Sequence, residues 1–170
     1  MILAFVVALV CVLCDIAGKY AAVTCLGVGE SVPVIKGVLN FTYVENRGMA
    51  FGMLAEHREI FMVLSCLLIA VIVVFLFIMR KSCGKFLKIT CGLILGGGIG
   101  NMIDRFRLGY VIDFIDVRLF GRLWTWVFNI ADMCVCIGVF MLAVYLLADS
   151  RKSRRTAETQ NEEERADDGR

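Results

Sequence analysis

Phe61-Met-Val-Leu-Ser-Cys-Leu-Leu-Ile-Ala-Val-Ile-Val-Val-Phe-Leu-Phe-Ile78 holds nothing more polar than Ser65 and Cys66. A helix needs about 20 apolar residues to cross a hydrocarbon core, and this run, extended to about Ile60–Met79, meets that length. Three further stretches do the same: the N-terminus to about Gly27, about Phe86 to Ile103, and about Val127 to Ala148. The third of the four in chain order is rich in small residues (Gly92, Gly96, Gly97, Gly98 and Gly100). Such residues let helices approach closely in lipid, where apolar burial gives little driving force. The chain is 59% hydrophobic, with mean hydropathy +0.79, above the roughly one-half apolar content of soluble domains. Its scattered net charge of +2 leaves no footprint for nucleic acid.

Four spans put both termini on one side of the membrane. The second connection and the segment after the fourth span carry eight basic residues: Arg80, Lys81, Lys85, Lys88, Arg151, Lys152, Arg154 and Arg155. The other two connections carry seven, so the positive-inside bias leans toward cytoplasmic termini. Trp124 and Trp126 stand where interfacial anchors stand. The first stretch lacks the basic n-region and small-residue cleavage site of a signal peptide, and carries Asp15 and Lys19 instead.

The first connection is structured in outline. Residues 32–44, VPVIKGVLNFTYV, are β-branched and aromatic around a Lys-Gly turn and predict short strands. The segment from Arg105 to Trp126 mixes apolar and charged residues and suits the interface. Residues 1–150 form one membrane domain, and 151–170, without aromatic or large aliphatic side chains, predict a disordered cytoplasmic tail. Six of the eight cysteines lie inside apolar runs, where a thiol behaves as a small hydrophobe; Cys25 and Cys83 lie in or near loops. Cys11 and Cys14 form a C-x-x-C without a second pair, and His57 is the sole histidine, so no metal site is expected.

Ionisable groups at membrane depth are costly and need a partner or a task. Asn101, Asp104 and Arg105 fall on one helical face by their i, i+3, i+4 spacing, and Asn129 and Asp132 pair at i, i+3. With the termini inside, these groups, Asp15 and Lys19 converge on one membrane face, and Asp113 lies in the segment that connects them. Counted from a span beginning at about Val127, Asp132 sits roughly 7–8 Å below the start. Two carboxylates close together share a proton, one activating water while the other polarises a carbonyl. Bland alternatives stand beside this: Asp104 with Arg105 as an interfacial ion pair, Asp15 with Lys19 as mutual neutralisation, Asn129 as a helix cap. Spacing alone leaves an aspartyl peptidase and a proton-coupled transporter both open.

Four blocks, in order, carry a resemblance: Asp15-x-x-x-Lys19; Asn46-Arg-Gly48-Met-Ala50-Phe51-Gly52; Gly96 to Arg105 continuing to Val111-Ile-Asp113-Phe114; and Phe128-Asn129-Ile-Ala131-Asp132. Over its first 150 residues or so the chain resembles lipoprotein signal peptidase, the signal peptidase II family. The resemblance implies an all-α membrane protein of four transmembrane helices with a small extracytoplasmic β-cradle. It also implies an aspartyl endopeptidase of the bacterial cytoplasmic membrane, acting at the extracytoplasmic face. Its catalytic dyad falls on Asp113 and Asp132. Asn46, Gly48, Asn101, Arg105, Asn129, Asp15 and Lys19 fall on positions that support the dyad or bind substrate. The implied partners are membrane lipid and diacylglyceryl-modified prolipoproteins, cleaved just before the lipidated Cys, with no cofactor. A monomer is expected. Residues 46–52, with glycines at both ends of the polar motif, are a candidate lid. Ile16 and Gly18 depart from the polar residues frequent in the family's first block.

Overall fold

The computed structural model describes residues 1–48, 58–79, 83–118 and 125–168. The described residues form four helices and four strands, in the order α1 (Ile2–Cys25), β1 (Ser31–Ile35), β2 (Leu39–Asn46), α2 (Arg58–Ile78), α3 (Lys85–Arg107), β3 (Val111–Arg118), β4 (Thr125–Phe128) and α4 (Ile130–Asp168). The protein is mostly helical with one small antiparallel sheet in the order β1-β2-β3-β4. Among the described residues three helices are long and apolar enough to cross a membrane: α1, α3 and the first part of α4, Ile130–Lys152. Within α2 the described apolar stretch is Met62–Ile78.

The helix at the centre is α3. Within its apolar window 61% of the residues are buried, against 28% in α1 and 17% in α4, so α1 and α4 pack on α3 and turn their outer faces away. Those outer faces, and that of α2, are greasy: Leu9, Leu13, Leu67, Val71, Phe140 and Leu147 are all exposed, the inverse of a soluble bundle. Glycines on α3 permit the close approach. A Cβ at Gly96 would lie 2.7 Å from both the Ala8 carbonyl oxygen and Cys11 Cβ of α1. The Gly96→Leu substitution is therefore expected to separate α1 from α3 and cost about 1–3 kcal/mol or more by overpacking. Thermal unfolding in detergent checks this, with the exposed Leu13→Ala as a control that should barely move the midpoint.

The first hairpin follows the sequence: β1 and β2 flank a Lys36-Gly37 turn in which Gly37 has φ +79°. β3 and β4 extend the sheet where the sequence reading gave only an interfacial segment. The signal was there in Val111-Ile-Asp-Phe-Ile-Asp-Val-Arg118, whose β-branched residues suit a pleated, half-buried strand. The ladder between β2 and β3 is irregular. Phe41 pairs with Ile115 and Val44 with Asp113, so β2 carries one extra residue.

Two boundaries differ from the sequence reading. The fourth helix starts at Ile130 rather than about Val127, because Val127 and Phe128 pair in β4. The backbone of α4 continues to Asp168, where disorder was expected from 151. That run has no Pro or Gly before Gly169 and is rich in Arg and Glu, which favour helix. The eight cysteines are all free thiols, with Cys11, Cys83, Cys91 and Cys134 buried. His57, Trp124 and Met49 to Gly52 of the candidate lid lie outside the described residues.

Candidate active site

Asn129 precedes α4 and caps it. Its Oδ1 accepts the Asp132 backbone N–H at 2.8 Å, while Asp132 Oδ2 accepts the Asn129 backbone N–H at 3.3 Å. This reciprocal exchange is a capping box, which satisfies two of the donors a helix start leaves orphaned. The Ala131 N–H in the same turn donates to Asp15 Oδ1 of α1 at 2.9 Å. Asp132 thus lies in the first turn of α4, not the roughly 7–8 Å below its start that a beginning at about Val127 implies. The local logic of a helix N-terminus, which favours acidic side chains, places it there.

The remaining side chains close a network around that turn. Asn129 Nδ2 donates to Asp113 Oδ1 at 2.7 Å, and Asn46 Nδ2, at the end of β2, donates to Asp113 Oδ2 at 2.8 Å. Asn101 Nδ2, near the end of α3, donates to Asp132 Oδ1 at 2.6 Å, and its Oδ1 accepts from Asn129 Nδ2 at 3.1 Å. Each amide is used at both ends, so the network leaves one consistent orientation for each. Gly48 enters through its backbone N–H, which donates to Asn46 Oδ1 at 3.1 Å and folds the chain over that side chain. Arg105 donates to the Asn101 carbonyl at 3.4 Å, and the charges it feels are those of Asp132, Asp113 and Asp104.

Beneath the pair lies a buried cation. Lys19 Nζ stands 2.7 Å from Asp15 Oδ2, 2.8 Å from Asp104 Oδ2 and 3.2 Å from Asn101 Oδ1. Asp104 also accepts the Ile112 N–H at 3.1 Å, tying α3 to the start of β3. The sequence reading favoured an Asp104–Arg105 ion pair; Asp104 instead turns inward to Lys19. A Cβ at Gly100 would fall 2.7 Å from Asp15 Oδ2, so that glycine makes room for the pair. All nine side chains or backbone groups expected at the site meet here, and Asp104 joins them.

Burial separates the two carboxylates. Asp113 is 2% exposed, while Asp132 is half-buried. Burial pushes the Asp113 carboxyl up to about 7; hydrogen bonds from Asn46 and Asn129 and the charge of Lys19 oppose the rise, and the Asp132 charge adds to it. No group of three or more His, Cys, Asp or Glu side chains suited to a metal occurs among the described residues. The arrangement is two carboxyl groups bridged by Asn129 at the end of a helical bundle, a pairing of the kind that can activate water without a covalent intermediate.

A family model described as Signal peptidase (SPase) II matches residues 7–148. The lipoprotein signal peptidase of Halothermothrix orenii is 40% identical over 142 residues, covering 84% of this chain and 93% of that protein. That of Clostridioides difficile is 39% identical over 125 residues, covering 74% and 81%. A solved structure described as a bacterial membrane enzyme superposes with a TM-score of 0.77 at 34% identity, over 86% of this chain and 88% of the other. A second of the same description gives a TM-score of 0.74 at 34% identity, over 86% and 93%.

Proposed function

The chain belongs to the signal peptidase II family, and we propose that it works there as an aspartic endopeptidase whose Asp113 and Asp132 share one proton. It is a bacterial membrane protease that removes signal peptides from prolipoproteins, a reading supported by relatives named lipoprotein signal peptidase. No relative supports the alternative of a proton-coupled transporter. The observation that carries the dyad is the Asn129 bridge, 2.7 Å from Asp113 Oδ1 through its side chain and 3.3 Å from Asp132 Oδ2 through its backbone. Asp113, the more deeply buried carboxyl, holds the proton and polarises the scissile carbonyl. Asp132, half-buried and braced by the Asn101 amide, takes a proton from the attacking water. The carbonyl becomes a tetrahedral diol, and protonation of the leaving amine completes the cleavage.

Four helices span the bilayer in this reading, with both termini cytoplasmic and the site at the extracytoplasmic face. Asp15 and Lys19 late in α1, Asn101 to Arg105 late in α3, and Asn129 and Asp132 opening α4 all lie at that end. Residues 1–150 form the peptidase unit and 151–170 a cytoplasmic extension, in a monomer without a cofactor. The substrate is a diacylglyceryl-modified prolipoprotein cut before its lipidated Cys. Its signal helix and acyl chains hold it in the membrane plane, so the bilayer supplies much of the orientation that catalysis needs.

The shared proton gives a pH dependence. The singly protonated pair is active, so cleavage falls as pH rises through about 7 and Asp113 loses its proton, with a limiting slope of about tenfold per pH unit. Asn46→Ala removes a donor that favours the ionised form, and should move this alkaline limb to higher pH. Stability follows the same sign. A carboxyl raised in the folded state stabilises it at low pH, and that contribution is lost as pH climbs from the unfolded value of 3.8 through about 7. Initial rates on a lipid-modified prolipoprotein in detergent check the profile; a rate that is level through about 7 and one unit beyond contradicts it.

A further inference from the structure

At one place β2 exchanges the two faces of the sheet. Leu39, Asn40 and Phe41 pair with Val117, Asp116 and Ile115, whereas Val44, Glu45 and Asn46 pair with Asp113, Ile112 and Val111. Thr42 and Tyr43 therefore stand together opposite Phe114 alone, a β-bulge. Side chains alternate between faces along a strand, and directly paired residues share a face. Before the bulge Asn40 shares the face of Asp116; after it Asn46 shares the face of Val111 and Asp113. Were residues 42–46 paired one to one from Phe41, without the bulge, Asn46 would fall opposite Tyr110 and on the wrong face, because a slip of one residue reverses every side chain beyond it. The 2.8 Å hydrogen bond from Asn46 to Asp113 depends on the bulge.

A buried knot pins that bulge. The Thr42 hydroxyl donates to Asp116 Oδ2 at 2.8 Å and lies 2.8 Å from the Ser31 hydroxyl of β1. Asn40 Nδ2 reaches the same carboxylate oxygen at 3.4 Å, and Arg118 reaches it at 3.0 Å through Nε and 2.6 Å through Nη2. Asp116 is 1% exposed, and Asn40 and Thr42 are also buried. Asp116 takes no part in the chemistry proposed above, lies on the other face of β3 from Asp113, and belongs to none of the four sequence blocks.

We propose that Asp116 is a positioning residue for the peptidase reaction: by holding Thr42 in the bulge it fixes the register that delivers Asn46 to Asp113. This rests on the reading of Asp113 as catalytic. The groups facing Asp113 are Asn46 from β2, Asn129 and Asp132 at the α4 start, Lys19 from α1 and Arg105 from α3. The knot on the far face acts on Asp113 only through Asn46.

Thr42→Val keeps the branched shape and deletes the hydroxyl; Thr42→Ser keeps the hydroxyl. Thr42→Val and Asp116→Asn should each lower kcat roughly ten- to a hundredfold, as a misplaced active-site group does, with KM within about twofold. Both should move the alkaline limb upward as Asn46→Ala does, and Thr42→Ser should restore the wild-type limb. In an Asn46→Ala background, Thr42→Val should cost no further kcat. A structural role alone predicts lower melting temperatures, an unmoved limb and additive losses, and that pattern overturns the proposal. Should Thr42→Val fail to fold, Asp116→Asn carries the same expectation. Isotope-edited infrared titration of the Asp113 carboxyl separates this from the dyad itself. A shift in Thr42→Val supports the positioning even if Asp113→Asn still cleaves; no shift there, with a shift in Asn46→Ala, overturns it.

Discussion

Asp113→Asn and Asp132→Asn should each lower cleavage of a lipid-modified prolipoprotein by roughly a thousandfold or more, since each removes one half of an acid–base pair. The amide matches the carboxylate in shape, so the fold should persist. At position 132 the side-chain oxygen can still accept the Asn129 N–H that completes the capping box, while the new amide group faces the Asn101 donor. At position 113 the new amide group must face one of two donors, Asn46 or Asn129, a mismatch that costs about 1–3 kcal/mol and calls for a parallel measurement of folded protein. Correctly folded variants without activity are the expected result. Near-normal cleavage by either one would remove that residue from the chemistry.

Lys19→Met should be the most destabilising single change in the membrane domain. Its ammonium lies within 2.8 Å of two carboxylates, Asp15 and Asp104, and all three side chains are at least nine-tenths buried. Removing one partner of a buried ion pair costs about 3–5 kcal/mol, because a charge is left uncompensated. Here two are left. The charge origin can be separated from lost packing with Lys19→Met/Asp104→Asn, which deletes one orphaned charge and should recover part of the loss. Unfolding in detergent measures both; a Lys19→Met midpoint equal to wild type contradicts the buried-cation role.

How legible this was differs by residue. Long apolar runs bring out the helices, because the bilayer imposes length and hydropathy directly on the chain. Asp132 and Asn129 are legible as a pair because an i, i+3 spacing at a helix start is a local rule, and the capping box is its realisation. Asp113 is legible only through the resemblance: in isolation it is one carboxylate in a connecting segment, and what makes it special is that β3 carries it under Asn46 and Asn129. Asp104 misleads, since its neighbour Arg105 offers a partner in sequence while Lys19, far away in the chain, offers a better one in space. Nothing local in the sequence marks Asp116 and Thr42, because the bulge that joins them arises from the pairing of strands separated by two helices.

The central claim is that one proton is shared, with Asp113 as its holder. The direct test is isotope-edited infrared spectroscopy of the carboxyl groups in the lipid-embedded enzyme as pH is raised through about 7. The difference between wild type and Asp113→Asn isolates that one group from the other buried acids, Asp15, Asp104 and Asp116. A protonated carboxyl that is present in the active pH range, titrates near 7 and vanishes in Asp113→Asn is the expected result. A difference spectrum showing Asp113 ionised throughout the range in which the enzyme cleaves would contradict it.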